Sequence, residues 1–230
     1  MSPARRAAEI YEKLAQDNPA AYLPDLAMSL NNLAIGLSET GDRQAALSPA
    51  RRAAEIYEKL AQDNPAAYLP DLATSLNNLA IRLSETGDRQ AALSPARRGA
   101  EIREKLAQDN PAAYLPDLAM SLNIFATGLS ETGDRQGALS PARRAAGIYE
   151  KLAQDNPEAY LPDLAMSLGT LGDVLKAADD SPRAISAYTD ALTDFRTCLE
   201  SAPERFAPYI AMITERLSDA LADAGRAEET

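Results

Sequence analysis

The side chains best suited to chemistry in this sequence recur at one spacing. Asparagine pairs stand at Asn31-Asn32 and Asn77-Asn78, with Asn123 in the same phase. Arginine pairs stand at Arg5-Arg6, Arg51-Arg52, Arg97-Arg98 and Arg143-Arg144, each 46 residues from the last. An amide donates and accepts at once, so a ladder of asparagines can pair with the backbone of an extended peptide, or with neighbouring helices and water. The arginines invite a phosphate-binding reading. Glu9, Glu55 and Glu101, however, follow Arg5, Arg51 and Arg97 by one helical turn, which predicts local ion pairs on a solvated face. Gly147 withholds that partner from Arg143.

Catalytic chemistry finds little to work with. There is no histidine, which removes the commonest general base and metal ligand together. The one cysteine, Cys198, falls in the phase of Leu14, Leu60, Leu106 and Leu152, so it reads as a small buried hydrophobe. Asp173, Asp179, Asp180 and Asp190 follow no calcium-loop order and read as a polar terminal repeat. No phosphate loop, nucleophile elbow or metal-spaced cluster appears. The expectation is a protein that is not an enzyme, with no metal and no cofactor. A net charge of −11 argues against nucleic acid and against anionic membrane surfaces as partners. No apolar run approaches the length of a membrane span, and MSPARRAAEIYEK lacks the apolar stretch of a signal peptide, so a cytoplasmic location is expected.

The elements that position these residues follow from the repeat. Pro19 to Asn64 recurs from Pro65 to Asn110 with four changes: Met28 to Thr74, Gly36 to Arg82, Ala53 to Gly99 and Tyr57 to Arg103. A third copy, Pro111 to Asn156, differs from the first at five positions; a fourth drifts after Leu168, and a partial fifth starts at Pro203. Aromatic residues are only 5% of the chain and Trp is absent, so alanine and leucine must fill the core. Leu26, Leu30, Leu33, Ala34 and Leu37 mark one apolar helical face, and Ala46, Ala50, Ala53, Ala54, Tyr57 and Leu60 a second. Gly41 should end the first helix, Asp42 should cap the second, and Asn64-Pro65 should close it. Tyr22, Tyr68, Tyr114, Tyr160 and Phe206 are expected to pack as core wedges at the repeat junctions. Pro24 is expected in the first turn of the first helix, with Leu23 extended before it. A kink or break is expected near Pro49, Pro95 and Pro141, with a straight helix through Ala187 after a cap at Ser181. No strand is expected.

Residues Ala27 to Ala54 resemble a tetratricopeptide repeat: Ala27, Leu30, Leu33, Ala34, Leu37, Gly41, Ala46, Ala50 and Ala53 carry the likeness, which extends over nearly the whole chain. The lengthened second helix and the LNNLA segment look like the long arrays of kinesin light chains and of bacterial regulatory proteins. The resemblance implies an all-α solenoid, a right-handed superhelix of antiparallel helix pairs with about ten helices. Its parts would be a half repeat at 1–18, full repeats at 19–64, 65–110, 111–156 and 157–202, and a half repeat or cap at 203–230. It also implies a concave groove lined by the first helices, and hence a protein or peptide partner. The groove residues carried over are Met28, Asn31, Ile35 and Ser38, then Thr74, Asn77, Ile81 and Ser84, then Met120, Asn123, Thr127 and Ser130. Met28, Met120, Met166 and Met212 would form a row there that either meets apolar ligand side chains or packs at the groove edge. Complementary half repeats also suggest weak head-to-tail self-association, opposed by Glu215, Arg216 and Asp219, which look like a polar cap. A third possibility is the sensor array of a larger signalling protein.

Overall fold

The computed structural model describes residues 2–199 and 202–228. Within them ten α-helices follow one another: α1 Pro3–Asp17, α2 Pro19–Glu39, α3 Arg43–Asp63, α4 Pro65–Glu85, α5 Arg89–Asp109, α6 Pro111–Glu131, α7 Arg135–Asp155, α8 Pro157–Ala177, α9 Ser181–Leu199 and α10 Pro203–Glu228. No strand occurs among the described residues. The chain divides into two compact units, Met1–Pro111 and Ala112–Thr230. In the first, α1 to α5 pack in chain order, and α2 also touches α4. In the second, α7 to α10 pack in chain order, and α8 also touches α10.

Very short connections enforce antiparallel neighbours. Asn64 alone joins α3 to α4: its N–H bonds Leu60 O at 2.9 Å, while its side chain accepts from Ala67 N at 3.3 Å. One residue thus closes one helix and opens the next, and Asn18 and Asn156 do the same. At the other end of each pair, Gly41 adopts φ 87°. Its N–H reaches Ser38 O at 2.9 Å and the Asp42 N–H reaches Leu37 O at 2.8 Å, the paired bonds of a Schellman stop. Asp42 then caps α3 through Ala45 N. In the fourth copy Asp179 takes the glycine's place at φ 60°, a conformation aspartate tolerates, and Asp180 rather than Ser181 is the cap.

The prolines depart from expectation. The first helices start at Pro19 and its counterparts, so Leu23 is helical and Pro24, Pro70, Pro116 and Pro162 lie inside. An asparagine cap one residue before Pro19 provides a complete start. Pro24 then costs one bond, to the carbonyl of Ala20, an exposed residue where water can substitute. Likewise α3, α5 and α7 run unbroken through Pro49, Pro95 and Pro141. Those rings are buried in the helix seam, which offsets the roughly 3 kcal/mol an interior proline costs. As expected, α9 passes through Ala187 without interruption.

Small residues set the spacing in the core. Ala34, Ala46 and Ala50 form one fully buried cluster between α2 and α3. Leu72, Ala73 and Leu76 of α4 pack with Ala54, Tyr57 and Ala61 of α3. Tyr22 and Tyr68 are half-buried wedges, and Phe206 is fully buried. Cys198 is buried, and burial pushes its thiol pKa up, as suits a core residue. On the second helices two ion pairs run between repeats, while Arg183 of α9 pairs locally with Asp180. Arg52 meets Glu12 at 2.6 Å and Arg98 meets Glu58, so the second arginine of a pair bridges neighbouring second helices.

Candidate interaction face

First helices lie side by side within each unit, and polar rungs join them. Asn31 Nδ2 donates to Ser75 Oγ at 2.6 Å and Ser38 Oγ donates to Glu85 Oε2 at 2.6 Å, both between α2 and α4. Between α6 and α8, Ser167 Oγ donates to Asn123 Oδ1 at 3.2 Å. Asn31 and Asn77 are only 8% and 3% exposed, whereas Asn32 is exposed and Asn78 half-buried. Helical phase explains the order within each pair. Positions 27, 31 and 34 share the stripe that faces the neighbouring helices, and positions 28, 32 and 35 share the next stripe outward.

The outward stripe carries the methionines. Met28, Met120 and Met166 are 49%, 43% and 39% exposed, whereas Met212 of α10 is half-buried against the core. Thr74 and Thr127 are exposed; Ile35, Ile81 and Asn123 are half-buried.

Thr74 stands where its counterparts are methionine, and the reason lies beneath it. Arg103, 4% exposed, donates from Nη2 to Thr74 Oγ1 at 2.7 Å, and that hydroxyl donates to Pro70 O at 3.1 Å. In the flanking copies this place belongs to Tyr57 and Tyr149, whose hydroxyls donate to Pro24 O at 3.2 Å and Pro116 O at 3.0 Å. Two of the four changes between the first copies are therefore one exchange. A third, Gly99, makes room: a Cβ there would sit 2.5 Å from Asn77 Oδ1.

Carboxylates edge the same face. Burial first, then the fields of Asp71 and Asp25, push the Tyr57 phenol well above its usual range; burial, Asp163 and Asp117 do the same to Tyr149. Burial raises the Asp71 carboxyl against the pull of Arg103, and the Asp163 carboxyl against Arg205. None of these aspartates is among the residues that the repeat pattern singles out. Their signal was present as the sorting of acids and bases between the two kinds of helix.

Between α8 and α10 the rungs change character. Tyr188 donates to Asp173 Oδ1 at 2.7 Å, Arg216 reaches Asp173 Oδ2 at 2.6 Å and Lys176 reaches Asp223 at 3.2 Å. Arg216 thus ties α10 to α8, while Glu215 and Asp219 are exposed. Among the described residues no group of three His, Cys, Asp or Glu is placed to hold a metal ion, and no helix is long and apolar enough to cross a membrane.

Residues 26–66 and 72–112 match the family model of the tetratricopeptide repeat. These segments are tetratricopeptide repeats. No curated protein matches the chain in sequence. Among solved structures, a singly substituted form of a kinesin light chain-type protein of Podosopora anserina, with nearly identical tetratricopeptide-like repeats, aligns with a TM-score of 0.65 at 17% identity over 90% of each chain. A second structure of those repeats gives 0.59 at 16% identity, covering 88% of this chain and 98% of that one. BtubC (BKLC) of P. vanneervenii gives 0.52 at 22% identity, over 86% of this chain and 89% of that one. These likenesses show the fold: a tetratricopeptide-like α-solenoid. Such arrays generally serve protein interaction.

Proposed function

We propose that the chain is a non-catalytic scaffold that binds a protein or peptide partner along the outward stripe of its first helices. The carrying observation is that stripe's exposed methionines, Met28, Met120 and Met166, which recur at one helical phase. Contact residues proposed in the first unit are Met28, Ile35, Thr74 and Ile81; in the second, Met120 and Thr127, since Asn123 is committed to the Ser167 rung. Asn31 and Asn77 hold the seam instead. An unbranched thioether adapts to varied apolar side chains, and repetition suits a ligand that makes several weak contacts.

A benzophenone side chain placed at Met120 should crosslink a partner in extract of the source cells, and the same group at Arg143 on α7 should not. Equal capture at both positions would remove the face from the proposal. A second reading, weak self-association of copies, draws on the exposure of Ile10 in α1 and Leu221 in α10. Counterparts of these residues, Ile102, Leu83, Leu129 and Leu175, are buried. Light scattering that shows mass rising with concentration supports it, and a constant single-chain mass removes it.

A further inference from the structure

Four changes separate the first two full copies, so their helices carry almost the same faces. Between α2 and α4 only Met28/Thr74 and Gly36/Arg82 differ; between α3 and α5 only Ala53/Gly99 and Tyr57/Arg103 differ. The connectors Thr40-Gly41-Asp42 and Thr86-Gly87-Asp88 are identical and make the same capping bonds. Two chains that fold together could therefore trade helices unequally. Helix α2 of one would dock on α5 of the other, while α4 of the second docked on α3 of the first. Every helix would still find a partner, with one array two helices short and the other two helices long. Exchange and misassembly of this kind are characteristic failures of repeat proteins.

Three of the four changes stand at the seam where that choice is made. In the native α4–α5 seam Arg103 Nη2 donates to Thr74 Oγ1 at 2.7 Å, and Gly99 leaves room for Asn77 Oδ1. In the native α2–α3 seam Tyr57 donates to Pro24 O at 3.2 Å, and Ala53 is fully buried. With α5 on α2, Arg103 would exchange the Thr74 hydroxyl for the Met28 thioether, a weak acceptor. Asp25, the counterpart of the Asp71 that Arg103 acts on, would serve equally, so the difference falls on the hydroxyl. Gly99 would also leave a void where the Ala53 methyl fits. With α3 on α4, the Ala53 methyl would arrive where a Cβ lies 2.5 Å from Asn77 Oδ1, and Tyr57 would compete with Thr74 for Pro70 O. Both mismatched junctions are worse than the native ones. The fourth change stands apart, since Arg82 pairs with Glu85 of its own helix at 3.0 Å.

We propose that Thr74, Gly99 and Arg103 act together as a register key, which makes α4 and α5 recognise each other and reject the nearly identical α2 and α3 of another copy. A solenoid has no long-range contacts to correct its order, because each repeat touches only its neighbours, so a local mark must do so. The marks alternate within 19–156: Met28, Ala53 and Tyr57, then Thr74, Gly99 and Arg103, then Met120, Ala145 and Tyr149. A slip by one repeat there always brings unlike residues together. This holds whatever the chain binds.

Disulfide trapping after joint refolding tests it on the full chain, with Cys198→Ala throughout. Ala34 packs with Ala50 between α2 and α3, and Ala96 is the counterpart of Ala50. One preparation carries Ala34→Cys and the other Ala96→Cys, so a crosslink reports α2 of one chain docked on α5 of another. Ala80→Cys and Ala96→Cys in separate preparations report exchange in register and set the scale. With the native key the mismatched crosslink should be about tenfold rarer. Thr74→Met with Gly99→Ala and Arg103→Tyr gives both copies one key and should bring the two yields within about twofold. Met28→Thr with Ala53→Gly and Tyr57→Arg does so from the other side and should act alike. All six changes together swap the keys, keep them unlike and should restore the discrimination. Equal yields with the native key, or a mismatched yield that neither same-key chain raises, would overturn the proposal, as would the absence of every crosslink, since there is then no exchange to prevent. Circular dichroism follows the helices. If one same-key chain loses them the other decides, and loss in both would show that the residues act on stability and not on register.

Discussion

The α2–α3 seam of the first unit and the α8–α9 seam of the second occupy the same register and are filled by opposite means. In the first, Ala34 packs with Ala50, two small side chains. In the second, the matching positions are Gly172 and Tyr188, and a Cβ on Gly172 would lie 2.5 Å from the Tyr188 ring. First-helix seams differ in the same way. Asn31 and Ser75 form a neutral rung between α2 and α4, whereas their counterparts between α8 and α10 are Gly169 and Ile213, in direct contact, with the Asp173–Arg216 ion pair beside them. The repeat backbone fixes the slot, and the chemistry in it can be exchanged if both occupants change together. A repeat with one partner altered and not the other is a defect, because interiors are close-packed.

The largest break in this comparison should come from Tyr188, 1% exposed and hydrogen-bonded to Asp173. Tyr188→Ala should cost about 3–5 kcal/mol, through lost burial and an unfilled cavity. Gly172→Ala pushes a methyl against the same ring and should cost about 1–3 kcal/mol. Gly36→Ala in α2, where nothing lies within 4 Å of the new Cβ, should instead stabilise by up to about 1 kcal/mol, since alanine is the better helix former. Denaturant unfolding measures the totals. Amide hydrogen exchange should place the loss in α8 and α9, because solenoid stability is largely nearest-neighbour. Equal cost at Gly36 and Gly172 would mean that the glycine–tyrosine pairing is incidental.

The Thr74–Arg103 exchange tests the same principle inside the first unit. Thr74→Met alone removes the hydroxyl acceptor from a buried guanidinium and should cost about 1–3 kcal/mol. Arg103→Tyr alone places a phenol over threonine instead of methionine. Made together, the two changes recreate the first copy, so the double variant should recover about 1 kcal/mol relative to the sum of the singles. Additive losses would show the two substitutions to be independent.

Much of this was legible because the repeat supplied its own controls. The Gly41 stop, the Asp42 cap, the Asn64 junction and the buried fate of Cys198 each follow from a local rule read several times over. What misled were rules applied without their surroundings. Proline at position 24 looked like a helix start, since nothing in the sequence revealed that Asn18 already caps at Pro19. Proline at position 49 looked like a break, since the burial of its ring is a tertiary fact. Asn31 and Asn32 differ by about 100° around the helix axis, and only the position of α4 decides which one is buried. The helical spacing speaks only for the first arginine of each doublet; the second is placed by the distance between repeats, which brings Arg52 to Glu12. The one visible sign of the Arg103 rung was that it changed together with Thr74.

The ionic rung gives the smallest effect and the most distinctive one. Burial pushes the Asp173 carboxyl above the ordinary carboxylate value of 3.8, against the opposing pulls of Arg216, the Tyr188 hydrogen bond and Lys176. Facing groups come from three helices: Lys176 on α8, Tyr188 on α9 and Arg216 on α10. In the window between the ordinary value and the raised folded value, the folded chain binds more protons than the unfolded one. Its contribution to stability is therefore full below the ordinary value and is lost as pH rises through the folded one. Asp173→Asn fixes a neutral side chain, so the native chain should lose stability relative to this variant as pH rises from about 4 to about 7, by about 1 kcal/mol or less for a side chain this exposed. Unfolding curves of the pair across that range read it directly, with Asn31→Ala as the neutral-rung control whose difference from the native chain should stay flat. If the native chain instead gains on Asp173→Asn with rising pH, the attraction of Arg216 outweighs burial, and the α8–α10 seam is held by its charges and not in spite of them.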